Sequence, residues 1–194
     1  MTTRYCPYYC EENIWHLCAD PQVTSVPSER RVLFVANRDR RVAMWGQRLS
    51  TDPELPVVWD YHVVLLVRQF AQPGWGQPGW ELWDLDAAIP PPRPALTWLD
   101  DCFRGAGVVP QQFEPQFRVV PATVFRRHFR SDRSHMRAPD GGWLQPPPDW
   151  PAILGEPFEG DGEGSNLDRF LDVEDPAFVG EVFDLRGLRQ WLVR

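Results

Sequence analysis

The sequence predicts an α/β (α+β) fold: a central, mostly antiparallel sheet flanked by helices, in a single domain over residues 1–194. Three observations carry that reading. An acid-led amphipathic segment near the N-terminus reads as a helix. A long apolar run from Val57 to Val67 reads as a central strand covered on both faces. A short connection to a second strand at Trp80 to Asp86 makes that pair antiparallel. A chain of 194 residues suits one compact domain, and its 10 Trp, 11 Phe and 4 Tyr supply ample core. Its 21 prolines say that much of the fold is ordered loop rather than long regular elements.

Taken in order, the first helix starts at or just after Cys10. Glu11 and Glu12 suit the positive end of its dipole, Ile14, Trp15, Leu17 and Cys18 supply its apolar side chains, and Pro21 is expected to end it. Arg31 to Ala36 and Val42 to Trp45 flank a polar turn and read as a first hairpin. After the 57–67 strand, Gln72 to Gly79 is a Pro/Gly-rich loop leading into the return strand. Beyond Pro90-Pro91-Pro92, Ala95 to Phe103 is weakly helical, Phe117 to Val120 is a short strand and Ala122 to Phe129 a helix. That helix runs into the polar cluster Ser131-Asp132-Arg133-Ser134-His135-Met136. Asp140 to Pro151 is a proline-rich loop. A strand at Gly180 to Phe183 and a helix at Leu185 to Leu192 close the chain, and no linker separates domains.

Charge and composition exclude several classes of partner. The 20 basic residues, all arginine, are outnumbered by 27 acids for a net charge of −7, which disfavours nucleic acid held through phosphates. The absence of lysine reads as codon usage. The longest apolar run, Val63 to Val67, falls far short of the roughly 20 residues a membrane helix needs. The four cysteines are too few for a disulfide scaffold and the N-terminus lacks the parts of a signal peptide, so reduced thiols in the cytoplasm are expected.

Cys10 is the candidate nucleophile. At a helix N-terminus, unpaired backbone N–H groups and the helix dipole favour a thiolate and can hold a developing oxyanion. Cysteines are more often plain buried side chains, and Cys6, Cys18 and Cys102 keep that reading. His62 lies inside an apolar strand, where a buried imidazole needs partners for both nitrogens. A symmetric loop centred on Pro73 sets Asp84 directly opposite His62 on one sheet face. The spacing leaves two readings open, a Cys-His-Asp triad or a satisfied core histidine. Asp86 shares the face and competes with Asp84 for the orienting role. A zinc set of Cys6, Cys10, His16 and Cys18 fits poorly, because helical positions 16 and 18 point about 200° apart. His128 and His135 read as surface or loop residues, although Ser131 to His135 holds enough hydrogen-bonding groups to line a pocket.

These residues also form blocks with a known counterpart. Tyr9-Cys10-Glu11-Glu12-Asn13-Ile14-Trp15-x-Leu17-Cys18, Val58-Trp59-Asp60-Tyr61-His62-Val63-Val64-Leu65-Leu66, Asp84-Leu85-Asp86, Ser131 to Met136, Pro146-Pro147-Pro148-x-x-Pro151 and Asn166-Leu167-x-x-Phe170 occur in one order along nearly the whole chain. Together they resemble the protein N-terminal glutamine amidohydrolase family. The resemblance implies a papain/transglutaminase-like thiol hydrolase fold and a triad of Cys10, His62 and Asp84, which decides against Asp86. It also implies deamidation of an N-terminal Gln to Glu, with release of ammonia through a thioester and no metal or organic cofactor. The implied partners are proteins or peptides with an unblocked N-terminal Gln, met by a monomer in the cytoplasm and nucleus, and the product Glu feeds arginyl transfer in the N-degron pathway. The stretch Ala71 to Trp80 departs from the family pattern. Glu11, Asp60 and Asp132 are candidate acceptors for the substrate α-ammonium. A transglutaminase, a cysteine protease and an inactive N-terminus-binding module are the rival readings.

Overall fold

The structure, a computed structural model, describes residues 4–70 and 78–194, so the predicted loop at Gln72 to Gly79 lies outside the described residues except at its last two positions. It is α+β with a six-stranded antiparallel sheet at its centre. In chain order the elements begin with α1 (Cys10–Leu17), α2 (Pro21–Thr24), β1 (Ser28–Ala36), β2 (Val42–Met44), β3 (Val57–Trp59) and β4 (His62–Gln69). They continue with β5 (Glu81–Trp83), β6 (Arg93–Pro94), α3 (Ala95–Cys102), β7 (Gln116–Pro121), α4 (Ala122–His128), β8 (Arg130–Ser131) and β9 (Ile153–Leu154). The last are α5 (Leu167–Leu171), β10 (Glu181–Asp184) and α6 (Leu185–Leu192). The main sheet runs β10-β7-β1-β4-β5-β6.

Both faces of this sheet are covered, which is why its central strands are apolar without interruption. On β1, Val32 and Phe34 belong to one core with Ile14 and Leu17 of α1, Phe125 of α4 and Phe170 of α5. The alternate residues Leu33 and Val35 belong to the other, with Trp98 and Leu99 of α3 and Leu188 of α6. On β4 the same alternation sends Val63 and Leu65 to the first core and Val64 and Leu66 to the second.

Three local expectations are corrected. Pro21 does not end α1; it is the first residue of α2, where its missing N–H costs nothing, and Asp20 caps that helix by accepting from the Gln22 N–H at 2.8 Å. β1 and β2 form no hairpin: β1 pairs with β4 and β7, while β2 pairs with β3 in a separate ribbon. Asn37 redirects the chain there, donating to the carbonyls of Arg41, Gln112 and Glu114. The 57–67 run is two strands, broken at Asp60-Tyr61, where the Tyr61 N–H bonds to the Asp60 carboxylate instead of a ladder partner.

The β4–β5 pairing is antiparallel, but Leu65 faces Trp83 rather than Glu81, a displacement of two residues from the symmetric loop. A shift of one would have turned every side chain over; a shift of two keeps Asp84 on the His62 side of the sheet. The helices at 95–102, 122–128 and 185–192 and the strands at 116–121 and 181–184 lie where the sequence predicts them, within a residue or two.

Candidate active site

The site forms where the N-terminus of α1 meets the start of β4. Cys6 to Tyr9 make a tight turn with Tyr8 left-handed at φ 68°, a conformation that costs a tyrosine about 1–3 kcal/mol. Asn13 holds that turn against the helix: its Oδ1 accepts from the Cys6 N–H and its Nδ2 donates to the Cys6 carbonyl, both at 2.8 Å. Cys10 is thereby fixed as the first residue of α1, and Tyr9 before it supplies no capping side chain. The first-turn N–H groups thus have no side-chain oxygen competing for them.

The Cys10 side chain is buried, with its sulfur accepting from the Val63 N–H on β4 and lying 3.7 Å from Glu11 Oε2. Burial pushes its pKa well up, and the charges of Glu11, Asp86 and Asp60 push it further, against the Val63 hydrogen bond. Burial and the neighbouring carboxylates thus oppose the thiolate that the helix N-terminus favours.

His62 is fully buried at the start of β4, one residue before the Val63 N–H that meets the Cys10 sulfur. Its Nε2 is 2.8 Å from Asp84 Oδ1, while its Nδ1 is buried with no hydrogen-bond partner. The Trp59 ring stacks on the imidazole at 5.3 Å between centroids. Asp84 follows directly on β5 and is saturated. Oδ1 also accepts from the Asp86 N–H at 2.9 Å, and Oδ2 accepts from Trp98 Nε1 at 3.0 Å and Gln47 Nε2 at 3.3 Å. Burial alone would push its pKa up, but His62, Trp98 and the Asp86 N–H outweigh it and hold it below the usual carboxylate range. Burial pulls His62 down, and the charges of Asp84, Asp86 and Glu11 with the Asp84 hydrogen bond together raise it by more, so its pKa lies above that of a free histidine. Asp86 is bound elsewhere, accepting from the Tyr5 hydroxyl at 2.5 Å. It borders a cavity of about 210 Å³ lined also by Tyr5, Tyr8, Arg48 and Trp59.

On the other side of Cys10 two consecutive buried glutamates behave differently. Glu12 accepts from Arg133 Nε and Nη2, both at 2.8 Å, from Trp150 Nε1 at 2.7 Å and from Ser131 Oγ at 3.2 Å. Glu11 accepts at Oε2 from the Tyr61 hydroxyl at 3.0 Å and from the Cys10 thiol at 3.7 Å, and its Oε1 has no hydrogen bond. His135 Nε2 stands 3.5 Å from Oε1, within ion-pair range but without hydrogen-bond geometry, and 3.3 Å from the Tyr61 oxygen.

The structure thus brings His62 and Asp84 into contact and Cys10 against the same end of β4. It does not bring together Cys6, Cys10, His16 and Cys18. Among the described residues, the ligand atoms close enough to share a metal belong to His62, Asp84 and Asp86, all within 4.8 Å, and the 2.8 Å His62–Asp84 hydrogen bond already occupies the space between two of them. His135 lies at the site rather than on a remote surface. Its signal was the polar cluster Ser131 to His135, whose Arg133 and Ser131 bind Glu12 and carry His135 to Glu11. Tyr61 was also missed, and so were the donors to Asp84, because Gln47 and Trp98 stand far from it in sequence.

The fold and site define a class: an α+β protein that sets a helix-N-terminal cysteine against the end of an inner strand of an antiparallel sheet, where a carboxylate holds an imidazole. A model of the N-terminal glutamine amidase family matches residues 5–192, and the chain belongs to that family. It is 35% identical over 179 residues to the protein N-terminal glutamine amidohydrolase of Bos taurus, covering 91% of this chain and 81% of that one. It is 34% identical to the protein of the same name from Homo sapiens, with 93% and 83% covered, and 33% identical to that of Arabidopsis thaliana, with 87% and 74% covered.

Proposed function

We propose that this protein is a thiol amidohydrolase that converts the side-chain amide of a protein's N-terminal glutamine to a carboxylate, releasing ammonia. The single observation that carries the chemistry is His62: one ring nitrogen is bonded to a saturated buried aspartate and the other is left bare. An imidazole so held has one tautomer and one free basic site.

In this reading Cys10, His62 and Asp84 are the catalytic residues. Nδ1 of His62 takes the thiol proton as sulfur attacks the side-chain carbonyl carbon. The oxyanion that forms is met by the uncapped N–H groups of the first turn of α1. Nδ1 then gives its proton to the departing nitrogen, which leaves as ammonia, and a thioester remains on Cys10. Water attacks that carbonyl as Nδ1 accepts its proton, the thiolate leaves, and the proton returns to sulfur. Asp84 stays ionised throughout and steadies the imidazolium. The layered α+β architecture supports a papain/transglutaminase-like fold. The chain acts on passing unblocked N-termini as a single-domain monomer in the cytoplasm and nucleus, upstream of arginyl transfer in N-degron turnover.

The test is ammonia release from peptides beginning with Gln, acetyl-Gln, Asn and Gly-Gln. Turnover of the first alone, with a mass gain of about one dalton, is expected, and equal turnover of acetyl-Gln or Gly-Gln would reject N-terminal specificity. Cys10→Ala should remove all turnover while leaving the fold intact; activity surviving in it would move the nucleophile elsewhere.

A further inference from the structure

Glu11 is the buried group of the site that this mechanism does not use. It places a carboxylate 3.7 Å from the nucleophilic sulfur, where its charge opposes the thiolate that the reaction must form. The side chain is fully buried, yet Oε1 lacks a hydrogen bond, whereas the adjacent Glu12 is satisfied four times over. The charges of Glu11, Asp86 and Asp60 all bear on Cys10, and each would attract a cation.

We propose that Glu11 Oε1 receives the α-ammonium of the substrate and is the residue that confines the reaction to chain N-termini. The inference rests on the deamidase activity proposed above. The lengths agree: in glutamine four bonds separate the α-nitrogen from the side-chain carbonyl carbon, about 5 Å when extended. An ammonium at about 2.8 Å from Oε1 stands at a comparable distance from a carbonyl seated on Cys10. His135 Nε2, 3.5 Å from the same oxygen, is the cation that a substrate ammonium would replace there. An acetylated or internal glutamine brings no charge and would leave Oε1 open, which rejects it more strongly than a lost apolar contact would. The same contact neutralises the carboxylate beside the sulfur, so the correct substrate itself eases formation of the thiolate.

The experiment compares Gln-Gly-Gly with its desamino analogue, 4-carbamoylbutanoyl-Gly-Gly, on the wild-type chain, Glu11→Gln and Asp86→Asn. Glu11→Gln should lower kcat/KM for Gln-Gly-Gly about 100-fold, with a loss on the analogue at least tenfold smaller. Equal losses on both peptides would make Glu11 merely structural and overturn the proposal. So would an amine-selective loss in Asp86→Asn alone, which would move the ammonium to the Tyr5–Asp86 cavity. If Glu11→Gln fails to fold, Glu11→Asp replaces it, with the same amine-selective loss expected. If the wild-type chain turns over neither peptide, the deamidase reading fails instead, and the seat is read from Cys10 alkylation by iodoacetamide. Unblocked Gly-Gly-Gly should then slow alkylation in the wild type and not in the Glu11 variant, acetyl-Gly-Gly-Gly should not slow it, and absence of protection by the unblocked peptide would overturn the seat.

Discussion

At the sheet end of the site Asp84 accepts four hydrogen bonds, whereas at the helix end Glu11 accepts two, both at Oε2 from Tyr61 and Cys10, and keeps Oε1 without a hydrogen bond. Both carboxylates are buried, so burial does not distinguish them. Their partners do. Asp84 is held by His62 of β4, Trp98 of α3, Gln47 in the loop after β2 and its own turn, which fixes its carboxylate against His62. Glu11 sits in a softer frame of a phenol, a thiol and a partly exposed imidazole, all of which can adjust when a ligand arrives. Saturation marks the fixed half of the site and open valence marks the half that receives something.

The comparison breaks most visibly at Asp84. Asp84→Asn keeps the shape but presents an amide to Nε2 and loses the charge that stabilises the imidazolium. Turnover should fall by roughly 10³–10⁴-fold, with KM changing far less, in steady-state ammonia release. A loss below tenfold would show that His62 is oriented without it. A smaller effect, on stability rather than rate, is expected where saturation is purely structural. Arg133→Met leaves Glu12 buried and uncompensated, so urea unfolding should report a loss of about 3–5 kcal/mol. Turnover per folded molecule should drop less than tenfold. A variant with unchanged stability would mean that Trp150 and Ser131 suffice for Glu12.

How much of this the sequence discloses follows the same division. Cys10 is legible because a helix N-terminus is a local event, set by Glu11, Glu12 and the apolar positions behind them. His62 is legible because an imidazole in an apolar run is an anomaly. Asp84 was set on the His62 face through a register two residues off, and that placement survived because side chains alternate with a period of two. The failures are non-local. Nothing between Ala36 and Val42 tells the chain to abandon a hairpin; the carbonyls of Gln112 and Glu114 that hold Asn37 decide it. The donors to Asp84 and the arrival of His135 at Glu11 likewise depend on segments tens of residues away. Glu11 stood in the sequence as one of three candidate ammonium acceptors with Asp60 and Asp132, and nothing local chose among them, since a first-turn acid suits the helix dipole whether or not its oxygen is hydrogen-bonded.

The smallest effect concerns the pH dependence of the fixed half alone. Asp84 is held below the usual carboxylate range, so what it adds to stability is present above about pH 4 and is lost as pH falls through its folded value. His62 is raised, so its share is present below about pH 6.5 and is lost as pH climbs through its folded value. The pair therefore stabilises the fold most between about pH 4 and pH 6.5. Urea unfolding of the wild-type chain and Asp84→Asn across pH 3 to 9 should show a stability difference that peaks in that window and shrinks on both sides. Each unit of pKa displacement corresponds to about 1.4 kcal/mol. A flat difference would mean that Asp84 acts through its bonds to Trp98 and Gln47 rather than through the charge it shares with His62, and the orienting half of the site would then be neutral packing.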